Sequence, residues 1–321
     1  MQILVIGLGS IGQRHSRNLN KLGFRNIIGV DPSEKARKDF QDIIGAQTFD
    51  SLKNLDGDIK PKLSIVCSPN IFHTEDAIFC AKMGSNLLIE KPLAIDLKNL
   101  NLLEKIINEK NLFVHIGSNF KFHPGLQRVK SLIKEEVLGR IVSAQILAGQ
   151  WLPDWHPNKD YRTGYSARKD LGGGIISDTH EFDYITWLLG PVKNILGMKS
   201  NSGVLDINTE DVAAACIEFN SGAICSIQVD YIQRDYKRRY TISGDLGTIE
   251  WNFADDSLTL YEARTEKKSL IQYKSEPVNE MYLRQMKHVI DGVNGLVQPE
   301  TPLKQGIETL KLQLKLKGID V

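Results

Sequence analysis

The stretch Ile3-Leu4-Val5-Ile6-Gly7-Leu8-Gly9-Ser10-Ile11-Gly12 decides the fold. Its first four residues read as a buried strand. The glycines at 7, 9 and 12 form a GxGxxG pattern that follows the strand and opens a helical pattern over 11–22. In that context each glycine has a task. Gly7 permits a tight turn, Gly9 lets backbone approach a pyrophosphate, and Gly12 allows close helix–strand packing. Ser10 and Ile11 complete the loop, where a helix N-terminus offers free N–H groups and the positive end of its dipole. Asp31 ends the second predicted strand. A carboxylate there accepts hydrogen bonds from the ribose hydroxyls of NAD and repels the extra phosphate of NADP. Ser33 and Arg37 soften that preference, so NAD is the expected cofactor and NADP the less favoured one. Arg14 and His15 read as surface or interdomain residues of the first helix.

Outward from this loop, apolar runs at 3–6, 26–30, 63–67, 86–89 and 112–116 alternate with helical patterns at 11–22, 32–42, 73–84 and 96–110. Strands alternating with helices predict parallel βαβ units, hence an α/β Rossmann domain over residues 1–119. Beyond it the pattern changes. A helix (124–138), a long strand (141–151) and an aromatic polar loop (152–169) lead to Gly172-Gly173-Gly174 and a helix ending near 189. Residues 192–273 read mainly as strands, with Asn220-Ser221-Gly222 as a hairpin turn. Helical patterns at 279–293 and 303–317 close the chain. Residues 120–321 are therefore expected to form an α+β domain with a mostly antiparallel sheet, for substrate binding and oligomerisation.

Composition narrows the function. In 321 residues, Lys+Arg 40 against Asp+Glu 39 leaves a net charge of +1, so no global field favours nucleic acid or an acidic membrane. No apolar run reaches the roughly 18–20 residues of a membrane-spanning helix. The N-terminal run lacks a preceding basic segment and does not read as a signal peptide. Cys67, Cys80, Cys216 and Cys225 include no CxxC pair, so reduced core residues, no structural metal and a cytoplasmic location are expected.

Further motifs carry a resemblance. Cys67-Ser68-Pro69-Asn70, His73, Gly84, Glu90-Lys91-Pro92, Phe122-His123-Pro124 and Gly172-Gly173-Gly174 before an Asp/His segment together resemble the Gfo/Idh/MocA oxidoreductases over nearly the whole chain. The resemblance implies a two-domain NAD(P)-dependent enzyme acting on a sugar, amino sugar, nucleotide sugar or cyclitol. It implies Lys91 as the catalytic lysine, oriented by Glu90, with a Lys91–Pro92 bond that is often cis. Ser68, Pro69, Asn70 and His73 match the loop beside the nicotinamide ribose. His180 matches the histidine that partners the lysine in proton transfer, for which a pKa near neutrality is suited.

Here the chain departs from the family. The usual acid stands three or four residues before the histidine, but Asp178 stands two before His180, and two residues apart on a helix do not share a face. Asp178 is expected either to reach the substrate or to cap a helix. His180-Glu181-Phe182-Asp183-Tyr184 suggests a narrower subgroup, as does Leu152-Pro153-Asp154-Trp155-His156-Pro157. Trp155, Tyr161, Arg162 and Tyr165 are placed around the substrate, where aromatic faces cover a sugar ring and a guanidinium binds hydroxyls or a carboxylate. Lys121 stands where relatives often carry arginine. Asp230-Tyr231 and Arg234-Asp235, at the end of a strand, are expected to line either the pocket or an oligomer interface. Other readings are a non-catalytic NAD-binding regulator and a redox-neutral enzyme with tightly held NAD. Lys91 and His180 are expected to meet across a cleft, in a homodimer or homotetramer joined through the sheet.

Overall fold

The computed structural model describes residues 1–155 and 157–319. It divides into two compact units. The first comprises Met1–Asn119 and Val278–Leu310; the second comprises Phe120–Pro277 and the chain from Lys311 onward. The helix that follows the second unit in sequence thus belongs to the first.

The first unit is built on six parallel strands, β1 (Ile3–Ile6), β2 (Ile27–Val30), β3 (Gln47–Phe49), β4 (Leu63–Val66), β5 (Asn86–Ile89) and β6 (Val114–Ile116). Their order is β3-β2-β1-β4-β5-β6, with every neighbouring pair parallel. The order reverses between β1 and β4, which opens a crevice at the carboxyl ends of the strands. Helices α1 (Ser10–Lys21), α2 (Glu34–Ile44), α3 (His73–Lys82) and α4 (Leu100–Lys110) make the crossovers. Burial on both faces explains the uninterrupted apolar strands. β3, with the sequence Gln-Thr-Phe, has no apolar run and was absent from the expected set. α4 begins at Leu100, later than the pattern from 96 suggests. Asp96 accepts from the Lys98 N–H at 2.9 Å and Asn99 adopts φ 61°, so a turn takes the place of the first helical residues.

The core beneath β1 joins Ile3, Val5, Leu8, Leu19, Phe40 and Ile65 to Met286, Val289, Ile290 and Val293. Those last four lie on a helix here named α8 (Asn279–Val293), far along the chain.

The second unit carries eight strands: β7 (Ile141–Gly149), β8 (Val192–Ser200), β9 (Val212–Phe219), β10 (Ile224–Asp230), β11 (Lys237–Gly244), β12 (Gly247–Asn252), β13 (Ser257–Glu262) and β14 (Lys267–Gln272). The order is β14-β13-β12-β11-β7-β10-β9-β8. Only β7 and β10 pair in parallel. One face is packed and the other open, as the alternation in β9 records. Ala213, Ala215, Ile217 and Phe219 are buried, while Ala214 and Cys216 are exposed. Cys216 therefore departs from the core position expected of it: it falls on the outward phase of the strand. On the packed side lie α5 (Pro124–Lys134) and α7 (Glu181–Leu189), over an aromatic core in which Trp251 stacks on Tyr240 at 4.9 Å. A short helix, α6 (Ile175–Asp178), precedes α7. Among the described residues no helix is long and apolar enough to cross a membrane.

Candidate active site

In the first unit, the glycine loop is shaped by what cannot be added to it. Gly7 has φ +85°, and a Cβ there would lie 2.4 Å from the Cys67 carbonyl oxygen. A Cβ on Gly12 would lie 2.0 Å from the Gly7 carbonyl oxygen. Gly9, by contrast, faces open space within 4 Å of where its Cβ would be, and no side chain caps the start of α1. The loop is thus tight underneath and open above, with free N–H groups at a helix N-terminus, which suits a pyrophosphate.

Asp31 follows β2. Its carboxylate accepts from the N–H of Leu8 and the N–H of Ser33, both at 2.8 Å. These bonds orient it while leaving acceptor capacity for ribose hydroxyls. Arg37 donates to the carbonyls of Asp31 (2.7 Å) and Pro32 (3.0 Å), so its guanidinium is anchored to backbone.

The loop after β4 holds Ser68, Pro69 and Asn70. Ser68 donates its hydroxyl to Asp76 at 2.6 Å; burial raises the Asp76 pKa to about 6. Asn70 is only 6% exposed, and its Nδ2 has no partner among the described residues. A buried, unpaired amide donor in this loop fits a cofactor that would accept from it. His73, grouped with the cofactor residues by resemblance, is turned inward. It is 1% exposed, and its nitrogens contact the carbonyls of Pro92 (2.9 Å) and Ser68 (2.7 Å).

Glu90 and Lys91 follow β5. Glu90 Oε1 meets His15 Nε2 at 2.6 Å, and its Oε2 accepts from the Lys91 N–H at 3.3 Å. Burial pushes the Glu90 pKa up, but His15, with help from His73, outweighs burial and holds it below the ordinary value. His15 is fully buried rather than a surface residue, because α1 turns this side chain toward β5. Lys91 is partly exposed, and the Lys91–Pro92 bond is cis.

In the second unit, α6 ends at Asp178, Thr179 is extended (ψ 146°) and α7 starts at Glu181. Asp178 and His180 therefore do not share one helix, and the spacing argument drawn from helical geometry does not apply. Nor does Asp178 cap a helix N-terminus. It is 6% exposed and accepts hydroxyl bonds from Tyr165, from Ser166 (2.6 Å) and from Tyr231 (2.8 Å). Trp155 stands edge-on to Tyr231 at 5.5 Å, and its indole N–H is buried without a partner among the described residues. Of the expected substrate residues, Tyr165 and Trp155 thus gather at Asp178. Tyr161 and Arg162 lie apart from that group. Tyr161 accepts from the Asp206 N–H at 3.2 Å, and exposed Arg162 pairs with Asp160 and Asp206. Lys121 is fully buried, 5.8 Å from the Trp187 ring centre. His156 lies outside the described residues.

His180 sits at the start of α7, partly exposed, with its ring 4.7 Å from that of Phe120. The guanidinium of Arg238 covers Phe120 at 4.2 Å and donates from Nε to Glu181 at 2.8 Å. Fully buried Glu181 also accepts from Tyr184 (2.6 Å), Tyr240 (2.9 Å) and Thr179. Burial raises its pKa, yet Arg238 and the hydroxyls hold it below the ordinary 4.5. Tyr231, expected at the pocket or an interface, joins the Asp178 cluster. Phe120 and Arg238 carry no sequence signal for this site, because their partners are remote in sequence.

Fold and cradle together define a protein that binds a nicotinamide dinucleotide. Residues 1–118 match the oxidoreductase family with an NAD-binding Rossmann fold, and residues 126–250 match the Gfo/Idh/MocA C-terminal domain. The chain belongs to the Gfo/Idh/MocA family of oxidoreductases. It is 26% identical to 2,7-anhydro-N-acetylneuraminate hydratase of Escherichia coli, over 93% of this chain and 81% of that protein. It is 24% identical to myo-inositol 2-dehydrogenase of Thermotoga maritima, over 97% and 94%. Levoglucosan dehydrogenase, solved with NADH and levoglucosan, shares the fold with a TM-score of 0.88, 17% identity and coverage of 99% and 96%. The WlbA dehydrogenase of Bordetella pertussis, solved with NADH and UDP-GlcNAcA, gives 0.85, 20%, 99% and 94%.

Two outcomes follow from this geometry. Asp31→Ser removes the charge that repels a 2′-phosphate, so the preference for NADH over NADPH should narrow or reverse in fluorescence titrations. Glu181→Gln breaks a buried pair and should cost about 3–5 kcal/mol at neutral pH. Because the folded pKa is depressed, the stability this carboxylate contributes is present above its unfolded value and lost as pH falls through the folded one. The gap in melting temperature between wild type and variant should therefore shrink as the pH drops below about 4.

Proposed function

We propose that this chain interconverts a secondary alcohol and a ketone on a sugar, amino sugar, nucleotide sugar or cyclitol, with NAD as hydride carrier. The observation that carries the reading is the position of Lys91. It follows β5 at the carboxyl edge of a β3-β2-β1-β4-β5-β6 sheet, the same edge that bears the glycine loop, Asp31 and Asn70. The relative named above as an inositol dehydrogenase and the fold neighbour solved with levoglucosan support the substrate class.

Gly7, Gly9, Ser10, Ile11 and Gly12 would hold the pyrophosphate, Asp31 a ribose, and Ser68, Pro69 and Asn70 the nicotinamide end. When bound, NAD supplies a hydride acceptor or donor at its nicotinamide ring. The protein's part is the proton. The Lys91 ammonium stabilises negative charge growing on the reacting oxygen, and Lys91 and His180 move the hydroxyl proton. Asp178 holds Tyr165 and Ser166 in place for the substrate, and Trp155 offers its indole N–H and an aromatic face. The His180-Glu181-Phe182-Asp183-Tyr184 run marks a subgroup in which Glu181 anchors the start of the histidine helix.

A redox-neutral reaction with tightly held NAD is the second reading, favoured by the E. coli relative, whose name describes a hydration. Measuring NADH released per product separates the two: one equivalent supports the dehydrogenase, and none supports the redox-neutral reaction. We also propose a cytoplasmic homodimer or homotetramer in which a second copy covers the open sheet face, where Leu196 and Met198 are 69% and 80% exposed.

Lys91→Ala should keep NADH affinity, since the pyrophosphate and ribose contacts lie elsewhere, while turnover on a sugar panel falls by about 10²–10⁴-fold. Turnover within a factor of a few of wild type would sink the assignment. Sedimentation of the wild type at micromolar concentration should give a dimer or tetramer, and Met198→Asp should shift it toward monomer. A monomeric wild type would refute the interface.

A further inference from the structure

Two buried histidines grip the segment that carries Lys91, one on each side. His15, from α1, holds Glu90. His73, from the first turn of α3, holds Pro92 through Nδ1 and Ser68 through Nε2. Ser68 is held twice from the same helical turn, since Asp76 takes its hydroxyl at 2.6 Å while His73 contacts its carbonyl. His73 and Asp76 are three residues apart and so share a helix face. One turn of α3 thus fastens the loop that bears Asn70 to the segment that bears Lys91.

The chemistry of the His73 contacts is specific. Carbonyl oxygens only accept, so each contact at 2.9 and 2.7 Å calls for an N–H on the ring. A neutral imidazole has one N–H and meets one carbonyl well; the second contact then sets two lone pairs against each other. Both are satisfied only by the imidazolium. The charged group that acts on the ring is Glu90. Burial outweighs the two carbonyls and the Glu90 charge and lowers the His73 pKa from its ordinary value, so the brace is held by geometry, with the ring N–H given to one carbonyl at a time when the ring is neutral.

We propose that His73 is a positioning residue for Lys91: a buried brace that ties the lysine segment to the Ser68–Asn70 loop and fixes where the ammonium stands. The inference rests on the reading of Lys91 as the proton-handling lysine. His73 itself is turned inward, 1% exposed, with both ring nitrogens on backbone carbonyls.

Competitive acetylation with limiting acetic anhydride tests this in the full-length protein without any substrate. Acetylation of Lys91 is quantified by peptide mass spectrometry across pH 6–10, relative to Lys62 and Lys105 of the same unit. The variants are His73→Phe, which fills the space without a donor, and His73→Gln, whose amide donates to the carbonyls. In His73→Phe, Lys91 labelling should depart from wild type by about tenfold, with Lys62 and Lys105 unchanged. His73→Gln should restore most of the difference, and it carries the test alone if His73→Phe does not fold, with a smaller departure at Lys91. A lower melting temperature with Lys91 labelling unchanged, or an equal change at all three lysines, would reduce His73 to an ordinary core residue and overturn the proposal. Since labelling needs no turnover, an active Lys91→Ala enzyme would remove the functional reading without deciding this result.

Discussion

Everything in the first unit depends on how closely three backbone segments approach at Gly7. β1, the end of β4 and the start of α1 come together where the Cys67 carbonyl and the Ser68 nitrogen leave no space for a side chain on Gly7, and the Gly7 carbonyl leaves none for one on Gly12. One added methyl group would push α1 away from the sheet. It would also move the Leu8 N–H off the Asp31 carboxylate and His15 off Glu90, because both bonds originate in this loop or its helix. The glycine loop, the Asp31 carboxylate and the lysine segment are therefore set by one steric constraint. Binding geometry and helix packing cannot vary independently here.

The second unit solves a different problem. It buries Asp178 and Glu181 three positions apart, and neither is left bare. Asp178 is met by three hydroxyls, whereas Glu181 is met by three hydroxyls and a guanidinium. Burying a carboxylate is costly unless hydrogen bonds replace water. The two sites answer that cost differently. At Asp178 the hydroxyls of Tyr165, Ser166 and Tyr231 replace the lost water. The ion pair at Glu181 cancels the charge and suits an anchor. The break at Thr179 lets these neighbouring side chains serve separate clusters.

Much of the first unit was legible in the sequence because its determinants are local. A glycine pattern between an apolar run and a helical period names strand, turn and helix together, and Asp31 follows at the end of the next strand. β3 escaped notice because an edge strand of Gln-Thr-Phe needs no apolar run, only a neighbour to pair with. The cofactor loop and the lysine were reached through resemblance, yet the inward turn of His73 and the burial of His15 depend on carbonyls and a carboxylate remote in sequence. The same holds for Asp178. Its spacing to His180 looked anomalous on the assumption of one continuous helix, and the extended Thr179 that resolves it has no distinct sequence signature. Phe120 and Arg238 act by pairing with distant groups, which composition and periodicity do not encode.

The return of α8 to the first unit has a consequence for how the chain comes off the ribosome. Met286, Val289, Ile290 and Val293 complete the core beneath β1, but they are made only after the whole strand-rich region of the second unit. Domains generally fold as units during synthesis, N-terminal first. Here the nascent first unit must wait with part of its apolar surface uncovered, and Phe113, against which Gly292 closes, is at its edge. A fragment ending at Asn119 would remain in that unfinished state. The cofactor-binding half is thus the last to be sealed, although it is the first to be translated.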